Sequence, residues 1–119
     1  MQPTNNRFSE EYLKAAHRST FANEREILAS EECRCCYCGS HFKAADEEPL
    51  LWAEERPPLG RTLHCPNCLV DCVIGSASGY PINDEDFIRA CSEAWFAGAS
   101  AISRGETVHL SDYVYLVVD

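Results

Sequence analysis

The chain has 119 residues, 45% of them hydrophobic and 24% charged, so one modest soluble core is the natural expectation and a second domain has little room. Nineteen Asp and Glu stand against ten Lys and Arg, giving a net charge of −9, and no two basic residues are adjacent. Nucleic-acid binders draw most of their affinity from Lys and Arg set on phosphates, and that footprint is missing here. No stretch approaches the roughly 18 apolar residues of a membrane span. The start, Met1-Gln2-Pro3-Thr4-Asn5-Asn6-Arg7, has no apolar run behind a basic end, so the expected setting is the cytoplasm.

In chain order, residues 1–7 are polar and expected to fray. Ser9 reads as a helix N-cap, with Glu10 and Glu11 suited to the positive end of the helix dipole. Asn23 gives a second start signal, followed by Glu24 and Glu26. Residues 9–30 therefore form one helix with a weak middle or two short ones. Ser40 to Asp46 allows a short strand or turn. Pro49 to Ala53 is apolar and extended, Glu54 to Gly60 is a loop around Pro57-Pro58, and Arg61 to His64 is a short strand. Val70 to Ile74 is apolar around Asp71 and Cys72, and Gly75 to Pro81 is a loop by composition. Asn83 or Asp84 caps the clearest helix, 83–97, whose Phe87, Ile88, Cys91, Ala94 and Trp95 recur at helical spacing; Gly98 is a stop. The tail is expected to pair two strands over 106–118. The fold class is α+β: a small zinc-ribbon-like β core over 33–75, with flanking helices and a C-terminal strand, in a single domain.

Eight cysteines dominate the middle: Cys33, Cys35, Cys36, Cys38, Cys65, Cys68, Cys72 and Cys91. In a reducing compartment, paired CxxC units bind metal more often than they form disulfides. Cys35-Cys36-Tyr37-Cys38 and Cys65-Pro66-Asn67-Cys68 are two such units, 26 residues apart. Each turn offers two thiolates, and together they suit one tetrahedral Zn²⁺. The first unit has a competing register, Cys33-Arg34-Cys35-Cys36. Gly39 behind the pair, Tyr37 inside it and the match to the second unit favour Cys35 and Cys38. A residue with φ > 0 suits the position after the second cysteine; Gly39 fills it in the first unit and Leu69 in the second. His41 and His64 flank the ligands and could replace one, although a hydrogen bond or surface placement suits them better. Four thiolates close the coordination sphere, so the ion is expected to be structural.

No catalytic set stands out. Cys72 with His64 would be the nearest nucleophile–base pair, but no local signature supports it and Cys72 is expected to be a buried cysteine on a strand. The Gly75-Ser76-Ala77-Ser78-Gly79 run lacks the Lys of a phosphate loop. Trp52, Tyr80, Trp95 and Phe96 are core candidates, and Tyr80, in its Gly/Ser/Pro loop, is the one most expected at the surface.

The stretch Ile27 to Cys38, with Cys65-Pro66-Asn67-Cys68 and Val73 to Ile82, resembles a set of short bacterial cytoplasmic proteins. These carry a cysteine-rich knuckle after a helix, a CPxCGxD unit, an SGYPI-like segment and a terminal helix. The match covers about residues 23–97; Asp71 fits the acidic position and Leu69 departs from the glycine. The resemblance implies a zinc-ribbon-like core and cytosolic residence, and implies no activity.

The expected function is a non-enzymatic, acidic protein–protein interaction module with one structural Zn²⁺. A basic protein partner fits the charge; one form would be an immunity or inhibitor protein neutralising a cationic toxin such as a nuclease. The candidate contact residues are Tyr80, Trp52, Asp46, Glu47, Glu48, Glu54 and Glu55. A zinc-ribbon nucleic-acid or transcription adaptor is the alternative.

Overall fold

A computed structural model describes residues 7–47 and 49–105. The tail strands expected over 106–118, residues 1–6 and Glu48 lie outside the described residues. Among the described residues, four helices mix with two small antiparallel sheets, in line with the α+β expectation.

The N-terminal region resolves as two short helices, α1 (Glu10–Arg18) and α2 (Glu24–Leu28). Ser9 caps α1, its hydroxyl accepting from the Tyr12 N–H at 3.0 Å. Asn23 precedes α2 but makes no side-chain cap. Its buried amide is used over long range instead: it donates to the Val73 carbonyl at 2.9 Å and accepts from the Leu63 N–H at 3.1 Å. A buried Asn must fill several hydrogen-bonding positions, and two strand edges offer more than one helix end does. Arg7, at the end of the segment expected to fray, is bonded to Asp84 at 2.8 Å and Asp86 at 3.0 Å.

Five strands follow. β1 (Cys33–Cys35) lies between β2 (His41–Phe42) and β5 (Val73–Gly75), antiparallel to both. β3 (Leu51–Glu54) and β4 (Arg61–His64) form a separate hairpin, with Trp52 opposite Leu63 and Glu54 opposite Arg61. The ribbon is therefore divided between two sheets that share no strand pairing among the described residues. A 3₁₀ turn at Ala44–Asp46 follows β2.

The Gly/Ser segment is mostly irregular but closes into a 3₁₀ turn, Ser76–Ser78. It is tied to the residues before β1. The Ser76 hydroxyl accepts from the Glu31 and Glu32 N–H groups at 3.1 and 3.2 Å, and the Ser30 hydroxyl accepts from the Ala77 N–H at 2.9 Å. Gly75 ends β5 rather than opening a loop, and Ser30 crosses it so closely that an added Cβ would meet Ser30 Oγ at 2.2 Å.

α3 (Glu85–Phe96) is capped by Asp84, which accepts from the Asp86 N–H at 2.9 Å, and ends through Ala97 and Gly98 at φ 51° and 86°. Its inner face carries Phe87, Ile88 and Cys91 into the core with Ile27, Leu63, Val73 and Ile74. A short α4 (Ala101–Arg104), capped by Ser100, folds back on the first cysteine turn, where the Ile102 N–H donates to the Tyr37 carbonyl at 3.0 Å. Among the described residues, no helix is long and apolar enough to cross a membrane.

Candidate metal centre

The first cysteine turn joins β1 to β2, and the second follows β4. Both close in the same way. The Gly39 N–H donates to the Cys35 carbonyl at 2.9 Å, and the Leu69 N–H donates to the Cys65 carbonyl at 2.9 Å. The chain leaving each turn is anchored alike, by the Cys35 N–H donating to the Ser40 carbonyl and the Cys65 N–H to the Val70 carbonyl, each at 3.0 Å. Both turns need a left-handed residue after the second cysteine: Gly39 has φ 80° and Leu69 has φ 72°. Gly39 adopts this freely and Leu69 only with strain, as its Cβ crowds its own carbonyl.

Cys35, Cys38, Cys65 and Cys68 bring their four sulfurs within 4.8 Å of one another. Cys35 lies 3.6 Å from Cys68, and Cys38 lies 3.8 Å from Cys65. A disulfide needs about 2.05 Å, so these are free thiols. Tetrahedral thiolate coordination with metal–sulfur bonds of about 2.3 Å sets sulfurs about 3.8 Å apart. The Cys35–Cys68 and Cys38–Cys65 separations match that spacing. Three of the four are buried and Cys38 is half-buried.

The surroundings favour charged sulfur. Cys35 Sγ accepts from the Tyr37 N–H at 3.3 Å, and Cys65 Sγ accepts from the Asn67 and Cys68 N–H groups at 3.3 and 3.4 Å. The Asn67 side-chain amide donates to Cys38 Sγ at 3.6 Å. Without an ion the four thiols share protons unevenly. Hydrogen bonding from Cys35 holds Cys38 and Cys65 below the ordinary thiol range, while hydrogen bonding to Cys38 pushes Cys35 well above it. A cation that replaces the shared protons would relieve that competition.

The competing register is not assembled. Cys33 pairs with Phe42 and Gly75 inside its sheet, and burial pushes its thiol up to about 11. Cys36 turns away toward Cys91 on α3, its hydrogen-bonding partner, and is held far above its usual range by that bond and by burial. Neither histidine belongs to the sulfur cluster. His41 is exposed, 3.7 Å from Glu32. His64 Nδ1 lies 2.8 Å from the Leu69 carbonyl. A carbonyl only accepts, so Nδ1 carries the proton and the ring braces the strained residue of the second turn. The Cys72 sulfur lies 3.7 Å from Cys35.

One important residue had no signal in the sequence. Arg34, between Cys33 and Cys35, is buried. Its Nε donates to the Gly39 carbonyl at 3.1 Å, and Nη1 to the Ile82 carbonyl at 3.2 Å. Its two Nη groups also hold Glu85 at 2.8 and 3.0 Å. It joins the first cysteine turn to the segment before α3 and to the start of that helix. Arginine suits the position because its planar fork reaches several acceptors at once.

The candidate contact residues are dispersed. Tyr80 is half-buried, nearly parallel to Phe87 at 5.9 Å and edge-on to Tyr12 at 5.4 Å. It is thus no more open than Trp52, Trp95 or Phe96, which fall in the same half-buried class. Trp52 lies on the hairpin beneath the Arg61 guanidinium, 4.9 Å from its ring centre, and Arg61 is bonded in turn to Glu24. Asp46 and Glu54 are exposed, Glu47 is half-buried, and Glu55 accepts from the Thr62 hydroxyl at 2.6 Å. Among the described residues, the four cysteines are the predicted group that the fold gathers together. No protein-family model, curated protein or solved structure matches the chain, so likeness to the short bacterial proteins stands on its cysteine and SGYPI motifs alone.

Proposed function

We propose that the four cysteines hold one structural zinc ion and that the chain is a non-enzymatic module whose acidic surface binds a basic protein in a reducing cytoplasm. The observation that carries the metal half is the set of four sulfurs within 4.8 Å of one another, three of them buried. All-thiolate sites of this kind suit zinc, and a filled sphere leaves no position for an activated water. The partner half rests on the net charge of −9. Arg7, Arg34 and Arg61 are each bonded to acidic neighbours, which leaves less positive surface for phosphate. Four thiolates on one Zn²⁺ add a local charge of about −2, further disfavouring nucleic acid.

Elemental analysis of protein purified without added metal should give one zinc per chain; iron in its place, or no metal, would sink the metal half. For the partner half, the tagged protein is used as bait in a host extract. The expected capture is a basic protein, of isoelectric point above about 9, that salt elutes. Recovery of only neutral or acidic proteins, or of nucleic acid at low salt, would reject it.

A further inference from the structure

α1 packs against α3, and the two helices leave a groove of about 550 Å³ between them. Its floor is Leu13, Ala94 and Trp95. The Trp95 indole N–H donates to the Leu13 carbonyl at 3.2 Å, so the ring's one polar atom is satisfied and the ring lines the groove as fixed apolar surface. His17 stands edge-on to that ring, the two centres 4.9 Å apart. One wall carries Lys14, His17 and Arg18 of α1. All three are exposed and none joins an ion pair among the described residues, whereas Arg7, Arg34 and Arg61 are each bonded to carboxylates. His17 and Arg18 are not consumed as caps of α1 either. The Ala16, His17 and Arg18 carbonyls already accept from the Ser19, Thr20 and Phe21 N–H groups at 3.0, 3.0 and 3.3 Å. Lys14 and Arg18 stand one helical turn apart, about 6 Å along the axis, so both reach one small anion. Glu10, a turn before Lys14, puts the opposite charge at the far end.

We propose that this groove binds a small aromatic monocarboxylate, its ring on Leu13, Ala94 and Trp95 and its carboxylate between Lys14 and Arg18. The site is separate from the metal centre and from the acidic surface and needs neither. Small-molecule sites hold roughly 300–1,000 Å³, are mostly apolar and carry a few polar groups that fix orientation. The groove has that size and that make-up. The aromatic body follows from Trp95, whose ring is held still by Leu13 and offers a surface for offset or edge-on packing. The single carboxylate follows from the charges: two permanent cations sit toward one end, and Glu10 at the other repels a second acid group. Arg18 supplies the planar fork that matches a carboxylate, and Lys14 adds a point charge. The net charge of −9 does not prevent this, because exposed charges are screened beyond about 8 Å at physiological salt. It does disfavour a large polyanion, which would spread from the groove onto the acidic surface.

Phenylpropionate, titrated into the full chain as purified, tests the site, with neutral phenylpropanol as its control. The indole N–H resonances are followed by NMR; the chain has two tryptophans, and Trp52→Phe leaves the Trp95 signal alone. Phenylpropionate should move the Trp95 resonance saturably and leave that of Trp52 in place. Phenylpropanol should bind at least about tenfold more weakly, the effect of losing one charge-assisted hydrogen bond. Lys14, Arg18 and Ala94 are exposed, so substitutions there leave the core intact. The double variant Lys14→Gln/Arg18→Gln should bring phenylpropionate down to the affinity of phenylpropanol, with phenylpropanol itself unchanged. Ala94→Trp, which fills the floor, should abolish binding of both. Equal affinity of wild type for the two compounds, an unmoved Trp95 resonance, or unchanged phenylpropionate affinity in either variant would overturn the proposal. So would a double variant that weakens both compounds alike, since the basic residues would then only shape the groove.

Discussion

Leu69 carries the most visible strain in the metal centre. It holds φ 72° where the matching turn has glycine, and its half-buried side chain lies outside the core cluster among the described residues. A left-handed conformation costs an L-residue roughly 1–2 kcal/mol, and glycine's larger unfolded entropy returns part of any gain. Leu69→Gly should therefore stabilise the protein by about 0.5–1 kcal/mol in denaturant melts at fixed metal; a loss of stability would mean that the side chain packs more than its position indicates. This residue also marks how legible the site was. The two CxxC turns and the glycine behind one of them identify the ligand set, and with it the register. Cys36 fails as a ligand because α3 supplies Cys91 as its partner, and Arg34 acts through carbonyls of Gly39 and Ile82. Both depend on contacts far along the chain, which no local pattern encodes.

At the scale of elements, capped and periodic segments were readable, and segments whose hydrogen bonds run elsewhere were not. Ser9 and Asp84 cap α1 and α3, and β4 spans the predicted Arg61–His64. Gly75 reads as loop by composition, yet it is glycine because Ser30 passes against β5. The start of α3 depends on the Arg34–Glu85 pair. Hydrogen bonding to Arg34 holds the Glu85 carboxylate below its ordinary range, outweighing desolvation. A carboxylate whose folded pKa is depressed adds stability that is fully present above its unfolded pKa, about 4.3, and lost as pH falls through the folded value. Melts of Glu85→Gln should therefore fall short of wild type at neutral pH, with the gap closing as pH falls below about 4.3 and through the depressed folded value. Because the Glu85 side chain is 68% exposed, the gap at neutral pH should be only about 0.5–1 kcal/mol after solvent screening. A constant gap down to pH 3 would show that shape, not charge, holds the pair.

For the whole molecule, the decisive feature is that the ribbon is built from two sheets with no strand pairing between them among the described residues. Cys35 and Cys38 belong to the β1–β2 side, and Cys65 and Cys68 follow the β3–β4 hairpin. The four-cysteine cluster therefore brings the two sheets together, assisted by the Asn23 side chain bridging Leu63 on β4 and Val73 on β5. One asparagine contributes on the order of 1–3 kcal/mol through such bonds, whereas structural zinc in small peptides contributes ~10–16 kcal/mol. Domains of this size have a net stability of only about 5–15 kcal/mol. Removal of the ion should then cost the entire fold and not merely loosen the site. Treatment with a strong chelator should thus abolish hydrogen-exchange protection in β1, β4 and α3 together, and readdition of zinc should restore it. Acid should act in the same direction, since protons displace the metal from thiolates. Protection lost only around the cysteine turns, with α3 intact, would show that the packing of α1 against α3 sustains a fold of its own and that the metal serves the ribbon alone.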